Sequence, residues 1–244
     1  MFRFSLSSQN VRIGFILFSL VILFAGCGKD NEDPSPENLS SQYNFCNSQL
    51  SKCTNGNGQY CLFGFKWGLD SELSRAGYNA QGPRSSGGIV SYSFQEDNGE
   101  INSHRQVALS SLSFQEILPC AKLEIRKAME TWSGVCDIEF VEESENSNSD
   151  IRFYVADIVQ GGIGYPNYPD DLCSELSGNV LIGLNVGIND CDFFHLFILH
   201  EVRHVLGLGH VETENIMSPR FSSFNLSGLQ RGDSLGAIEI YGER

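Results

Sequence analysis

An unbroken run in the C-terminal part of the chain, His200-Glu201-Val202-Arg203-His204-Val205-Leu206-Gly207-Leu208-Gly209-His210, places three of the 5 histidines in the pattern H-E-x-x-H-x-x-G-x-x-H. On a helix, positions i and i+4 share a face one turn apart, so His200 and His204 can aim two imidazoles at one point. Gly207 tolerates the left-handed backbone that ends a helix, and the turned chain can bring His210 round as a third nitrogen ligand. Three neutral imidazoles suit Zn²⁺ at about 2.0–2.1 Å each and leave a fourth tetrahedral position for water. Glu201, beside the first ligand, is placed to act as the base for that water, whose pKa such a metal lowers towards about 7. H-E-x-x-H alone also occurs in helices that hold no metal. The eleven-residue pattern is far more specific, arising by chance in a chain of this length roughly once in 10⁵.

The elements that must hold these residues can be read from periodicity. Gly178-Asn179-Val180-Leu181-Ile182-Gly183-Leu184-Asn185 reads as a strand leading into the histidine helix, which Asp190 or Asp192 could cap and whose inner face carries Phe193, Phe194, Phe197 and Ile198. Upstream, Ile89-Val90-Ser91-Tyr92-Ser93-Phe94 alternates as a strand does, and so do Ile138 to Val141 and Asp150 to Val155, joined by an acidic loop. Between the first two lies a helix whose core stripe is Ala121, Ile125, Ala128, Met129 and Trp132. Ser113 and Glu116 offer a capping box for it, and Pro119 either kinks it or marks its beginning.

With 244 residues and 41% hydrophobic content, the chain can build one domain with a proper core. Its net charge is −14, and without Arg3 and Arg12 at the N-terminus the balance is −16, a surface that repels nucleic acid and anionic lipid. Those arginines precede the apolar run Ile13 to Phe24, the right length for a secretory signal and short for a membrane span. Residues 1–26 are therefore expected to be a signal peptide. Residues 27–44 are rich in Asp, Glu, Asn, Ser and Pro, cannot bury a core, and read as an acidic tether. Residues 45–87 hold Cys46, Cys53 and Cys61 around turn-forming residues, a disulfide-stapled segment or a propeptide, with Gln81 to Gly87 marking a boundary before a catalytic domain over 88–244. Of 8 cysteines, setting Cys27 aside leaves seven, so one thiol stays unpaired. Cys120 and Cys136 lie at opposite ends of the first helix and cannot bond each other, whereas Cys173 and Cys191 could pair only if the loops flanking their strand fold back.

Asn215-Ile216-Met217-Ser218-Pro219 follows the third histidine where metzincin proteases place a methionine turn beneath the metal. With the eleven-residue pattern, it makes residues 88–244 resemble a metzincin zinc metallopeptidase, most like the matrixin branch, because no tyrosine stands two residues after Met217. Leu229-Gln230-Arg231-Gly232-Asp233 leading to Ala237 to Gly242 is similar to the helix that closes a matrixin domain. The resemblance implies an α+β, zincin-like fold: a twisted, mostly parallel sheet with an antiparallel edge strand, two long helices and a C-terminal helix. It implies one catalytic Zn²⁺ held by His200, His204 and His210, Glu201 as general base, Met217 beneath the site, and a protein or peptide substrate. Gly161 to Pro166 resembles the edge strand along which matrixins pair an extended peptide, making Ile163, Gly164 and Tyr165 substrate-binding candidates. Pro219, Arg220 and Phe221 fall where matrixins wall the pocket just beyond the scissile bond.

A second, structural zinc of the matrixin kind is not expected, since His104 and His195 alone remain, the latter about 140° round the helix from His200. Calcium stays open and unassigned: Asp150, Asp157, Asp170 and Asp171 supply oxygens, but no spacing resembles a calcium loop. Phe24-Ala25-Gly26-Cys27 resembles a bacterial lipobox, implying lipidation at Cys27, and the lysine and acids after it resemble a surface-export tract of Bacteroidetes-type lipoproteins. The implied location is the bacterial cell envelope, at the outer membrane or cell surface. Matrixin propeptides block the zinc with a cysteine, and some bacterial relatives use an aspartate, so Cys46, Cys53, Cys61 or Asp70 could do so here. The competing reading is a catalytically silent zinc-containing surface lipoprotein acting as an adhesin or binding module, which would have no need of Glu201. Oligomeric state is not legible.

Overall fold

The computed structural model describes residues 45–48, 50, 55–56, 58–67, 79–81, 89–97, 100–101, 109–157, 161–168, 173–184 and 187–244. The expected signal peptide, Cys27 and the tether lie outside the described residues, as do Cys53, Asp70, His104, Asp170 and Asp171.

The described strands are β1 (Asn55–Gly56), β2 (Cys61–Leu62), β3 (Phe65–Trp67), β4 (Asn79–Gln81), β5 (Ile89–Gln95), β6 (Glu100–Ile101), β7 (Leu109–Ser110), β8 (Glu139–Glu142), β9 (Ile151–Ala156), β10 (Gly162–Gly164), β11 (Asn179–Gly183) and β12 (Leu208–Gly209). Among the described residues three longer helices accompany them: α1 (Ala121–Ser133), α2 (Cys191–Val205) and α3 (Arg231–Tyr241). The main sheet has the order β10-β11-β9-β5-β8. Its inner pairings are parallel, and β10 lies antiparallel on β11 at one edge. The protein is thus α+β with a mostly parallel five-stranded sheet, and every long strand falls where alternation predicts one.

The sheet's core face and the two longer helices share one apolar core. Val90, Tyr92 and Phe94 of β5 and Ile151, Phe153 and Val155 of β9 meet Ile125, Met129 and Trp132 of α1 and Phe194, Ile198 and Val202 of α2. The predicted stripe of α1 is buried at every position, and α1 packs against α2. Pro119 marks the beginning of α1 rather than a kink: Cys120 is its N-cap residue, and Ser113 instead caps the short turn Phe114–Glu116 by accepting from the Gln115 amide. Pro119 stands just before that cap, outside the helix, so its missing N–H removes no helical hydrogen bond.

Residues 61–67, read from the sequence as part of a Cys-rich segment or propeptide ahead of residue 88, pack into the same core as the residues that follow. Leu62 and Trp67 are buried in the main cluster, and Trp67 Nε1 donates to the Val205 carbonyl at 2.8 Å. Phe65 backs Gly207 so closely that a Cβ there would collide with the Phe65 carbonyl oxygen. That contact, with φ of +99° at Gly207, is the local reason for glycine after the second histidine.

Cysteine pairing departs from the sequence reading. Cys173 bonds Cys46 and Cys191 bonds Cys120, so the Cys173–Cys191 alternative does not form. Cys61 is also disulfide-bonded, to a partner outside the described residues. Cys120 and Cys136 stay apart as helix length requires, and Cys136 is a buried free thiol whose pKa burial pushes up to about 12.

Candidate metal centre

Asp190 starts the histidine helix: it is the N-cap of α2, and its side chain accepts from the Phe193 amide at 2.8 Å. One face of α2 sinks Phe194, Phe197, Ile198 and Val202 into the core, which turns His200 and His204 together towards the cleft. β12 returns the chain so that His210 closes the set. The three Nε2 atoms form a triangle with sides of 3.2 Å (His200–His204), 3.1 Å (His204–His210) and 3.2 Å (His210–His200). Three nitrogens at tetrahedral bond lengths of about 2.0–2.1 Å from one ion would lie about 3.3–3.4 Å apart, so the triangle fits a metal ion.

The remaining imidazole nitrogens fix which atoms face the centre. His200 Nδ1 lies 2.5 Å from the Ile216 carbonyl and His204 Nδ1 lies 2.9 Å from the Leu208 carbonyl. Those bonds place the proton on Nδ1 and leave the Nε2 lone pairs converging on one point. Burial drives the His200 pKa down to about 3 and holds His204 well below its ordinary value; His210 is lowered too, again chiefly by burial. Three neutral imidazoles crowding their lone pairs together are a donor set for a cation.

Glu201 is nearly wholly buried and borders the same cleft of about 330 Å³ as the triad. Burial raises its pKa to about 8 against an opposing hydrogen bond from the Gly164 backbone. The close approach of β10 to α2 makes that contact possible. At Gly164 a Cβ would fall on the Glu201 carbonyl oxygen, so the edge strand can lie on the helix only as glycine.

Ile163 and Gly164 line the cleft, as predicted from the edge strand. Tyr165 does not: it lies just past the end of β10 and is fully buried in a second apolar cluster with Phe63, Phe65 and Tyr168, against which Ile163 also packs. Met217 is fully buried with Cys61 and Val211, in a turn closed by Ser218 N donating to the Asn215 carbonyl at 3.1 Å. Phe221 stacks on His200 with ring centroids 5.1 Å apart, whereas Pro219 and Arg220 are exposed, the latter paired with Glu212. His195 Nδ1 lies 3.4 Å from Glu124 Oε2, outside the triad. Asp150 is taken up by β5, accepting from Ser91 N and Oγ. Among the described residues, His200, His204 and His210 are the one group placed to share an ion.

Several site residues were not legible in the pattern. Phe63 stacks on His204 at 6.0 Å, and Asn47 and Leu50 border the cleft. Arg203, between the first two histidines, is fully buried and ion-paired to Asp233 of α3. Asp233 also accepts from Ile216 N at 3.2 Å and Gln230 N at 2.7 Å, so one carboxylate ties α2, the methionine turn and α3 together beneath His200. Cys46 and Cys61 are in disulfides and offer no thiolate to the centre.

Compared with known protein families the chain matches none, and no curated protein matches it either.

Proposed function

We propose that this chain is a zinc-dependent endopeptidase of the metzincin kind, matrixin-like, tethered to a bacterial envelope by lipid at Cys27. The observation that carries the catalytic part is the triangle of Nε2 atoms, 3.1 to 3.2 Å on a side, opening into one cleft with Glu201. Bound there, zinc would supply a Lewis acid for a scissile carbonyl and acidify water towards neutral pH. The histidines hold that ion as neutral ligands. Glu201 takes the proton of the attacking water on its carboxylate and returns it to the departing amine. The outer edge of β10, which no strand covers among the described residues, gives an extended peptide backbone donors and acceptors to pair with, irrespective of sequence. Phe221, stacked on His200, borders one side of the reacting centre.

The deciding experiment is digestion of casein or gelatin by the purified protein with and without a zinc chelator. Cleavage that stops on chelation and returns with zinc is expected. Zinc at one per chain with no cleavage of either protein would leave the silent binding module as the better reading. The anchor is tested separately: Cys27→Ser should move the protein out of the membrane fraction, since acyl chains contribute about 0.8 kcal/mol per buried CH₂.

A further inference from the structure

The short helical turn at residues 45–48, with Leu50 after it, is held against the cleft by three independent ties. Cys46 is bonded to Cys173, the Cys46 carbonyl accepts from Tyr168 Oη at 3.3 Å, and Leu50 packs on the second apolar cluster. Leu50 and Ile163 are partly exposed members of that cluster, and both border the cleft that contains the triad. Phe63 lines the same cleft, its ring stacked on His204. The triad therefore has two aromatic flanks: Phe221 against His200 and Phe63 against His204.

We propose that Leu50, Phe63 and Ile163 form a substrate subsite on the His204 flank of the triad, distinct from the Phe221 flank on His200, and that this subsite takes an aliphatic or aromatic side chain next to the scissile bond. This rests on the peptidase reading above. The chemistry of the walls sets the class of side chain: they are hydrocarbon, and no charged side chain among the described residues borders the cleft except Glu201. The Asn47 amide at the rim can hydrogen-bond backbone but offers no charge to pair. The three ties matter because a pocket discriminates only if its walls hold still. The disulfide supplies that rigidity to a segment far from the histidines in sequence, so the N-terminal part of the chain sets specificity without touching the reacting atoms.

Peptide hydroxamates test this without turnover. Two series would be used, one extending from the metal-binding group in each chain direction, with Leu, Phe or Gly next to the hydroxamate. Affinities would be measured for the zinc-loaded full-length protein and for Leu50→Glu. In one series the wild type should bind the Leu and Phe compounds at least about tenfold more tightly than the Gly compound, as burial of one such side chain allows. Leu50→Glu should abolish that preference while leaving zinc content and the other series unchanged. A preference that survives the substitution, or no preference in the wild type in either series, overturns the subsite. So does a loss shared by both series, which would mark Leu50 as merely structural. Casein digestion run alongside separates the two readings: failure to cleave strikes the peptidase assignment, and the hydroxamate affinities still decide the pocket.

Discussion

At the scale of single residues, Glu201 and the histidines make opposite demands on pH. A carboxyl whose pKa burial raises from 4.5 to about 8 keeps its proton in the folded metal-free chain over a range where the unfolded chain has released it. Folding then binds protons, so the metal-free protein loses stability as pH rises from about 4.5 through about 8. His200, lowered from 6.5 to about 3, acts the other way, and its contribution is lost as pH falls below 6.5. Glu201→Gln removes the first effect. In chelator, its urea midpoint should exceed that of the wild type at pH 9, and the gap should close towards pH 5; a constant gap would contradict the burial of a titrating carboxyl. With zinc restored, the same variant should retain the metal and lose about 10²-fold or more in turnover, the usual share of a general base. His204→Ala should instead fail to retain zinc against a chelator, measured by metal analysis after dialysis, because two ligands cannot hold the site.

The helix, the edge strand and the methionine turn work as a unit at the scale of elements. Gly164→Ala puts a methyl group on the Glu201 backbone, which neither element can yield without separating. It should cost about 1–3 kcal/mol or more and lower thermal midpoint and activity together, whereas Gly228→Ala, with open space around it, should change neither noticeably. Asp233→Asn should cost about 3–5 kcal/mol, because it strands the Arg203 guanidinium in the core. The pattern of the long elements was legible because strand alternation and helical stripes are local properties of sequence: Val90, Tyr92 and Phe94 declared β5, and the stripe from Ala121 to Trp132 declared α1. The Arg203–Asp233 pair was not, because an arginine beside metal ligands carries no sign of where its charge is answered. The one local hint was Gln230-x-x-Asp233, which forms the capping box of α3.

For the whole molecule, the lesson lies in residues 61–67. The cysteines and turn-formers of residues 45–87 suggested a separable segment, yet β2 pairs with β12 between the second and third histidines, and Leu62 and Trp67 complete the core. Pairing between strands about 150 residues apart leaves no mark on either partner's local pattern, so only the histidine half of the site could be read directly. A chain beginning at Gly88 lacks both side chains. Burial of a Leu and a Trp is worth about 2–5 and 3–5 kcal/mol, comparable with the entire stability of an ordinary domain. That shorter chain should show no cooperative unfolding transition by circular dichroism, while one beginning at Gly28 should. Removal of residues 45–87 as a propeptide would then yield an unfolded protein instead of an activated one.

Two of the disulfides have spans that overlap: Cys46 to Cys173 and Cys120 to Cys191. A single backbone cut anywhere between Cys46 and Cys191 is therefore bridged by at least one of them. On the peptidase reading proposed above, self-cleavage would fall most readily in an exposed segment such as Glu143 to Asn148. Such a nick would not release a fragment. The two pieces would stay one covalent body, running as a single band without reductant and as two with it, and the cleft, lined by Asn47, Leu50 and Phe63 from one piece and by the histidines from the other, would stay assembled in the nicked form.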